Sequence, residues 1–488
     1  MEKVTKAQFL SSSVWKLVET FATKGVSLLL SLILARLLLP SDYGIIALTV
    51  VFLSLSDLFI QGGFNTALIQ KEKVDEADYS TVLVLALAIA TVIYVLIFVL
   101  SPLVANFFGT ELLSSVLRVL GLVVFLQAFA SIRTAIVTRN MQFRVLFWCN
   151  FIGSILSGVV GIVMALLAFG VWALVAQQFL QQLFALLLLF YKIKWKPVFR
   201  FEPKRIKKLF SFSSGVLTSS LLSYVGDSVY SVFFGKAYSV RDLGYLDKGA
   251  QLPRQLSLYT FGSLTSVLLP TFSSRQSDPD SLKRLMRKIT AFTAYIIFPL
   301  MAFLCVSADQ IIILLLTEKW LPSVPFLRWS CLYYAATPIM LINVQVFFAL
   351  GRSYLRVKLE TIRFGFLLLL LWLMGFVFRL DMILLVAGQA GIAVLMAALS
   401  FIEAQRLVSY NFYEIIEDIF PCALVSIAML FLGWTVSLLN VHPFWLLLLQ
   451  AVTCGLFYLF CSRALRLKGF QDVVSIMKTI RLKSGSLI

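Results

Sequence analysis

The chain has 488 residues, of which 60% are hydrophobic and only 14% charged, with a formal net charge of +18. A typical soluble domain carries about 25% charged residues, so this composition excludes a soluble globular protein. The six cysteines form no CxxC pair and lie mostly in apolar stretches, so neither a disulfide framework nor a cysteine metal site is expected.

A membrane-spanning helix needs about 20 mostly apolar residues. In chain order such stretches fall at 12–38, 44–68, 80–103, 112–132, 146–168, 170–191 and 210–235. They continue at 249–271, 289–307, 326–350, 358–378, 381–403, 418–439 and 443–463. The expected fold is therefore all-α and polytopic, with about 14 transmembrane helices. The first stretch is too long and too polar for a cleavable signal peptide. With the N-terminus inside and the spans alternating, 31 of the 42 Lys and Arg residues fall on the inner side and seven on the outer. This positive-inside bias puts both termini in the cytoplasm of a multi-pass membrane protein. The charge is spread over loops beside a bilayer. Topology and anionic headgroups account for it, and no nucleic-acid partner is expected.

The chain also repeats itself. Asp42-Tyr43-Gly44 aligns with Asp242-Leu243-Gly244, and the stretch 58–68 aligns with 258–268 at the same offset. After small insertions, Val116-Leu117-Arg118 matches Phe326-Leu327-Arg328, and Phe143-Arg144-Val145 matches Leu355-Arg356-Val357. Internal repeats of this kind in a membrane chain point to a transporter. The repeats divide the sequence into a six-helix bundle at 1–191, a basic cytoplasmic linker at 192–209 and a second six-helix bundle at 210–408. Residues 409–488 add two extra C-terminal helices and a tail. Six spans is an even number, so both repeats run the same way and their axis lies along the membrane normal. The outer segment 308–325 is too short to span and reads as a helical extension or an interfacial segment anchored by Trp320.

Charges inside spans disfavour insertion by roughly 2.5–3.5 kcal/mol each at mid-bilayer, so each asks for a reason. Span 1 carries Lys16, Thr20, Thr23, Lys24, Ser27 and Ser31 on one helical face. Span 7 repeats that stripe with Ser220, Ser223, Asp227 and Ser231. Two such stripes would line a water-filled cleft. Lys16 is read as snorkelling to the surface. For Lys24, snorkelling and binding of an anionic substrate group both stand. Asp227 is a partner for a cation or a proton carrier. Lys248, Gln251, Gln255 and Tyr259 share a face at the start of span 8, flanked by Arg254. These cations break the positive-inside pattern and suit a mouth that attracts an anionic sugar or phosphate. Pro253 there suits the first turn of a helix. Asp57 and Gln61 in span 2, Arg118 and Gln127 in span 4, and Gln177, Gln178, Gln181 and Gln182 in span 6 add further polar groups. The amides serve either sugar hydroxyls or helix-to-helix hydrogen bonds. The one histidine, His442, stands in a short outer loop. No HExxH, nucleophile elbow or phosphate-cradling glycine loop occurs, so no enzyme is expected.

Ala35-Arg36-Leu37-Leu38-Leu39-Pro40-Ser41-Asp42-Tyr43-Gly44 and Gly62-Gly63-Phe64-Asn65-Thr66-Ala67-Leu68-Ile69-Gln70 resemble the start of Wzx-type bacterial polysaccharide and O-antigen flippases. These belong to the multidrug/oligosaccharidyl-lipid/polysaccharide (MOP) exporter superfamily. Arg139-Asn140-Met141-Gln142-Phe143-Arg144 and Glu318-Lys319-Trp320-Leu321-Pro322-Ser323-Val324-Pro325 resemble its colanic-acid-exporter subgroup. The resemblance covers nearly the whole chain. It implies a V-shaped MOP/MATE-like arrangement of the two bundles in the bacterial inner membrane. It implies alternating access for an undecaprenyl-pyrophosphate-linked oligosaccharide, with the last two helices forming a groove for the lipid tail. A polysaccharide polymerase and a chain-length regulator are the implied partners. No cofactor is expected beyond a coupling ion, H+ or Na+. Under this reading Lys24, Arg118, Lys248 and Arg254 attract the anion, Gln177 and Gln181 meet sugar, and Asp57 and Asp227 act as ion-pair partners or couplers. A multidrug antiporter of the same superfamily would show a carboxylate-rich cavity and usually twelve spans. A glycan polymerase or ligase would need a sizeable outer loop.

Overall fold

The computed structural model describes residues 22–23, 25–61, 68, 74–140, 142–195, 221, 224–226, 228–378 and 380–472. Among them the regular structure is helical throughout, with no strand. Hydrocarbon offers no water to the backbone, so each spanning segment must satisfy its own N–H and C=O groups. The chain divides into two compact units, Met1–Gly244 and Tyr245–Ile488.

The first unit contains α1 (Gly25–Leu37), α2 (Pro40–Gln61), α3 (Glu76–Phe108), α4 (Leu112–Gly121) and α5 (Val123–Arg139). It continues with α6 (Phe143–Leu166), α7 (Val171–Lys192) and α8 (228–237). The expected linker at 192–209 lies mostly outside the described residues. Local signals set the helix ends. Asp75 and Asp78 form a reciprocal capping box at the start of α3, and Gly109 ends it in the left-handed conformation at φ 66°. Small residues bring α6 and α7 together. A Cβ on Gly153 would stand 3.1 Å from the Ala185 nitrogen, and one on Gly161 would stand 3.0 Å from Gln177 Cβ.

Helix α9 (Val240–Ser273) crosses the division between units. Its first turn, inside the first unit, meets the first turn of α2. A Cβ on Gly44 would lie 1.7 Å from the Val240 carbonyl oxygen, and a Cβ on Gly244 would lie 2.0 Å from the Pro40 oxygen. These contacts are reciprocal at the repeat offset, so the duplicated Asp-x-Gly triplet packs against its own copy. Only glycine permits that approach. The start of α9 differs from the sequence expectation. Ser239 accepts from the Asp242 N–H at 3.0 Å and starts the helix upstream, which leaves Pro253 in its interior. An N-cap serine with an acid three residues on is the stronger start signal.

The second unit continues with α10 (Pro279–Val306), α11 (Ala308–Leu315), a 3₁₀ turn (Glu318–Ser323) and α12 (Val324–Ala349). It ends with α13 (Tyr354–Leu370, extended by a π-helical turn to Val377), α14 (Met382–Val408), α15 (Phe412–Ser437) and α16 (Pro443–Ala464). Helix α10 packs against α12 and α15, and α12 packs against α14. Asn343 of α12 donates to the Ser400 hydroxyl of α14 at 2.7 Å, a fully buried interhelical bond. Helix α16 is held by Tyr458, which donates to the Tyr295 carbonyl of α10 at 2.8 Å. Trp320 is not an interfacial anchor. It is fully buried, edge-on to Tyr245 at 5.9 Å.

Among the described residues ten helices are long and apolar enough to cross a membrane, and α1 is a shorter apolar helix. The two glycines of the crossing give a direct test. Gly44→Ala or Gly244→Ala should destabilise the purified protein by about 1–3 kcal/mol through overpacking. Gly365→Ala, with nothing within 4 Å of the added Cβ, should be neutral or stabilising by up to about 1 kcal/mol. Thermal unfolding in detergent checks all three.

Candidate functional site

The second unit contains an apolar groove of about 560 Å³. Helices α10 and α12 form its floor through residues such as Met301 and Ala335. Helices α14 and α15 form its walls, with Phe401 on one side and Ile419 and Ile427 on the other. Its lining is almost wholly aliphatic and aromatic. Arg328, Gln405 and Ser426 are the polar exceptions. Arg328 is held by Asp309 in a salt bridge. The groove therefore offers no hydrogen-bonding pattern for a sugar and suits an aliphatic chain.

Beside one end of the groove lies a compact ion-pair cluster. Asp418 of α15 has a side chain only 1% exposed, so its charge needs partners. Its oxygens accept from Arg287 Nε at 2.7 Å and Nη2 at 3.0 Å, from Lys468 Nζ at 2.7 Å and from the Tyr410 hydroxyl at 2.9 Å. Glu414 accepts from Lys283 at 2.8 Å and Arg287 at 2.9 Å. Glu417 accepts from Arg287 and Lys468, both at 2.9 Å. Three carboxylates thus meet three cations. Burial pulls the Lys468 ammonium down, but its bonds to Asp418 and Glu417 outweigh that and raise it above the ordinary lysine value. The cluster has a faint sequence signature. Glu414, Glu417 and Asp418 stand within one turn and a half at the start of an apolar helix, opposite the basic run Lys283 to Lys288.

The residues singled out by sequence fall in different places. Lys24 and Asp227 lie outside the described residues. Asp57 sits half-buried on α2. Gln177 and Gln181 are half-buried on α7, where Gln177 Cβ and the Gln181 carbonyl face the close-packing glycines of α6. Lys248 is buried on α9 and donates to Gln251 Oε1 at 3.0 Å. Arg254, two turns on, pairs with Asp247 at 3.2 Å. The structure brings these two cations together with Asp247 and Gln251 on one stretch of α9.

Arg118 has a different set of contacts. Its Nε donates to Ser101 Oγ of α3 at 2.9 Å, and its guanidinium lies 4.4 Å from the Phe98 ring centre. Its repeat counterpart Arg328 donates to the Cys305 carbonyl of α10 at 3.4 Å and to Asp309. Each arginine ties its helix back to the late turns of the preceding long helix, α3 in one unit and α10 in the other. The repeated arginine is a helix clamp in both units.

The chain's sequence matches a family model described as polysaccharide biosynthesis protein over residues 33–325. The chain belongs to that family. In this polysaccharide biosynthesis protein the matched stretch ends at the start of α12, so both groove walls lie beyond it. The succinoglycan biosynthesis transport protein ExoT of Rhizobium meliloti (strain 1021) is 25% identical over 316 residues, 64% of this chain and 63% of ExoT. That match spans less than two thirds of ExoT. The teichuronic acid biosynthesis protein TuaB of Bacillus subtilis (strain 168) is 23% identical over 455 residues, 91% of each chain. Among solved structures, the lipid II flippase MurJ in its inward closed conformation has a TM-score of 0.77 at 17% identity. The match covers 94% of this chain and 99% of MurJ. The two proteins share a fold, the one the sequence resemblance implied.

The clamp reading of Arg118 is testable by a double-mutant cycle. Arg118→Met and Ser101→Ala, alone and together, should give a coupling of about 0.5–1.5 kcal/mol in unfolding experiments. A coupling of zero would remove the clamp.

Proposed function

We propose that this protein moves undecaprenyl-pyrophosphate-linked oligosaccharide repeat units from the inner to the outer leaflet of the bacterial inner membrane, for exopolysaccharide, O-antigen or capsule assembly. The observation that carries this reading is the apolar groove in a polytopic member of a polysaccharide biosynthesis family. The substrate class has two unlike parts, a long hydrocarbon and a charged, hydroxyl-rich head. The head is the physical problem, because an unpaired charge moved into hydrocarbon is disfavoured by tens of kcal/mol in a dry medium. A protein route must supply paired polar contacts for the head while the tail stays in an apolar medium.

The groove does the second task, and its chemistry limits how. Lipid tails are as apolar as leucine, so a chain leaving the bilayer for the groove gains little hydrophobic free energy. The groove is therefore a guide for the tail. Its 560 Å³ accepts a segment of such a chain. The rest of a longer tail stays in the bilayer. Lys24, Lys248 and Arg254 attract the pyrophosphate. Gln177 and Gln181 are candidates for sugar contact, and Asp57 and Asp227 for coupling to H+ or Na+. Arg118 is held in its clamp. Alternating access, fourteen spans with both termini in the cytoplasm, and a polymerase and chain-length regulator as partners complete the reading.

Cells lacking the gene should accumulate the lipid-linked oligosaccharide on the cytoplasmic leaflet. Arg254→Gln or Lys24→Gln should trap a part of it there. Leaflet-selective labelling of the intermediate checks this, and normal translocation in a strain with no second flippase would sink the proposal. Substrates whose tails are too short to fill the groove should move more slowly. Tails long enough to fill it should move alike in reconstituted vesicles.

A further inference from the structure

The ion-pair cluster is not used by the transport reading above, yet it stands on the elements that form the groove. We infer that Asp418 is a positioning residue that sets the width of the groove at its α14–α15 end. This rests on the groove being the tail guide. Helix α15 presents two faces. Phe412, Ile415, Ile419 and Ala423, spaced by threes and fours, line the groove. Glu417 and Asp418 point to α10 and to Lys468.

The partners of Asp418 come from three separate segments. Arg287 belongs to α10, whose later turns carry the groove floor at Phe298 and Met301. Tyr410 belongs to the turn between the two walls. It is fully buried, and its ring lies edge-on to groove-lining Phe401 of α14 at 5.8 Å. Lys468 follows α16. An ionised carboxylate accepts about four hydrogen bonds, and this one accepts four. One carboxylate of α15 thus joins α10, the turn between the walls and the segment after α16 at a single point.

The energetics favour a positioning role over simple stabilisation. Desolvation offsets much of the attraction in a buried ion pair, so such a pair is weak evidence for stability. Its bonds are directional, and a fully satisfied network allows one arrangement of its members. The turn after α14 is held in one conformation as well, with Ser409 left-handed at φ 52°. The walls are tied at this end by a charged network, while at the opposite end Arg328 bridges to Asp309 near the floor and Gln450 of α16 donates to the Gly433 carbonyl of α15 at 3.2 Å.

Asp418→Asn keeps the shape and the tyrosine bond but removes the charge that holds Arg287 and Lys468. Arg287→Lys keeps the charge but loses the forked contact, and it serves should the first variant fold poorly. Spin labels on unnatural amino acids at 406 and 413 report the cluster end of the walls and spare the six native cysteines. Labels at 384 and 434 report the far end. Both variants should broaden the 406–413 distance distribution and leave 384–434 unchanged. The initial rate of lipid-linked substrate flipping in vesicles should fall about tenfold. Asp418→Glu, which restores the charge, should recover most of both. An unchanged 406–413 distribution, or equal broadening at both ends, would overturn the inference. Broadening at the cluster end with an unaltered flipping rate would leave the groove out of transport and overturn it as well. Failure of the unmodified protein to flip any prenyl-linked substrate would instead count against the proposed function, since the distance measurement does not depend on transport.

Discussion

Every part of this molecule answers to one constraint, the lack of water in hydrocarbon. Backbone groups must pair within their own segment, which leaves helices as the structure for the spans. Side-chain charges must pair or stack. Arg118 rests on Phe98 and Ser101, Arg328 on Asp309 and the Cys305 carbonyl, and Asp418 on four donors. Inside the second unit the Asn343 amide nitrogen pairs with the Ser400 hydroxyl across two helices. Where a surface has no polar group to satisfy, it can remain an open apolar groove, and the groove floored by α10 and α12 is such a surface.

Duplication and departure from it divide the labour. The repeated triplets at Asp42 and Asp242 place Gly44 and Gly244 against each other's partners, so the two copies fix one close crossing. The repeated arginines each tie a helix to the late turns of the long helix before it, Arg118 to α3 and Arg328 to α10. One wall of the groove, α15, belongs to the C-terminal pair that lies beyond the repeat read from the sequence. The family match over 33–325 stops before both walls.

Composition and apolar length made the spans legible, and the offset of 200 made the repeat legible, because both are local or periodic signals. The start of α9 was less so. Pro253 looked like a first-turn proline, while the Ser239 cap that starts the helix stood fourteen residues upstream among polar residues. Trp320 looked interfacial because tryptophan often is, but its ring packs against Tyr245, a contact no periodicity announces. The groove and the Asp418 cluster depend on tertiary packing of segments as far apart as Arg287 and Lys468. Arg118 was legible as a buried cation and not as a clamp, since Ser101 lies on another helix. The polar stripes of spans 1 and 7 that carry Lys24 and Asp227 fall partly outside the described residues.

The central claim is that a lipid-linked glycan lays its hydrocarbon tail in this groove during transport. The most direct measurement is photo-crosslinking in living cells, with a benzoylphenylalanine placed at Ala398 or Ile427, both of which line it. The account predicts adducts that carry polyprenyl-linked sugar, lost when synthesis of the lipid-linked precursor is blocked. Adducts with ordinary phospholipid alone, unchanged by that block, would contradict it.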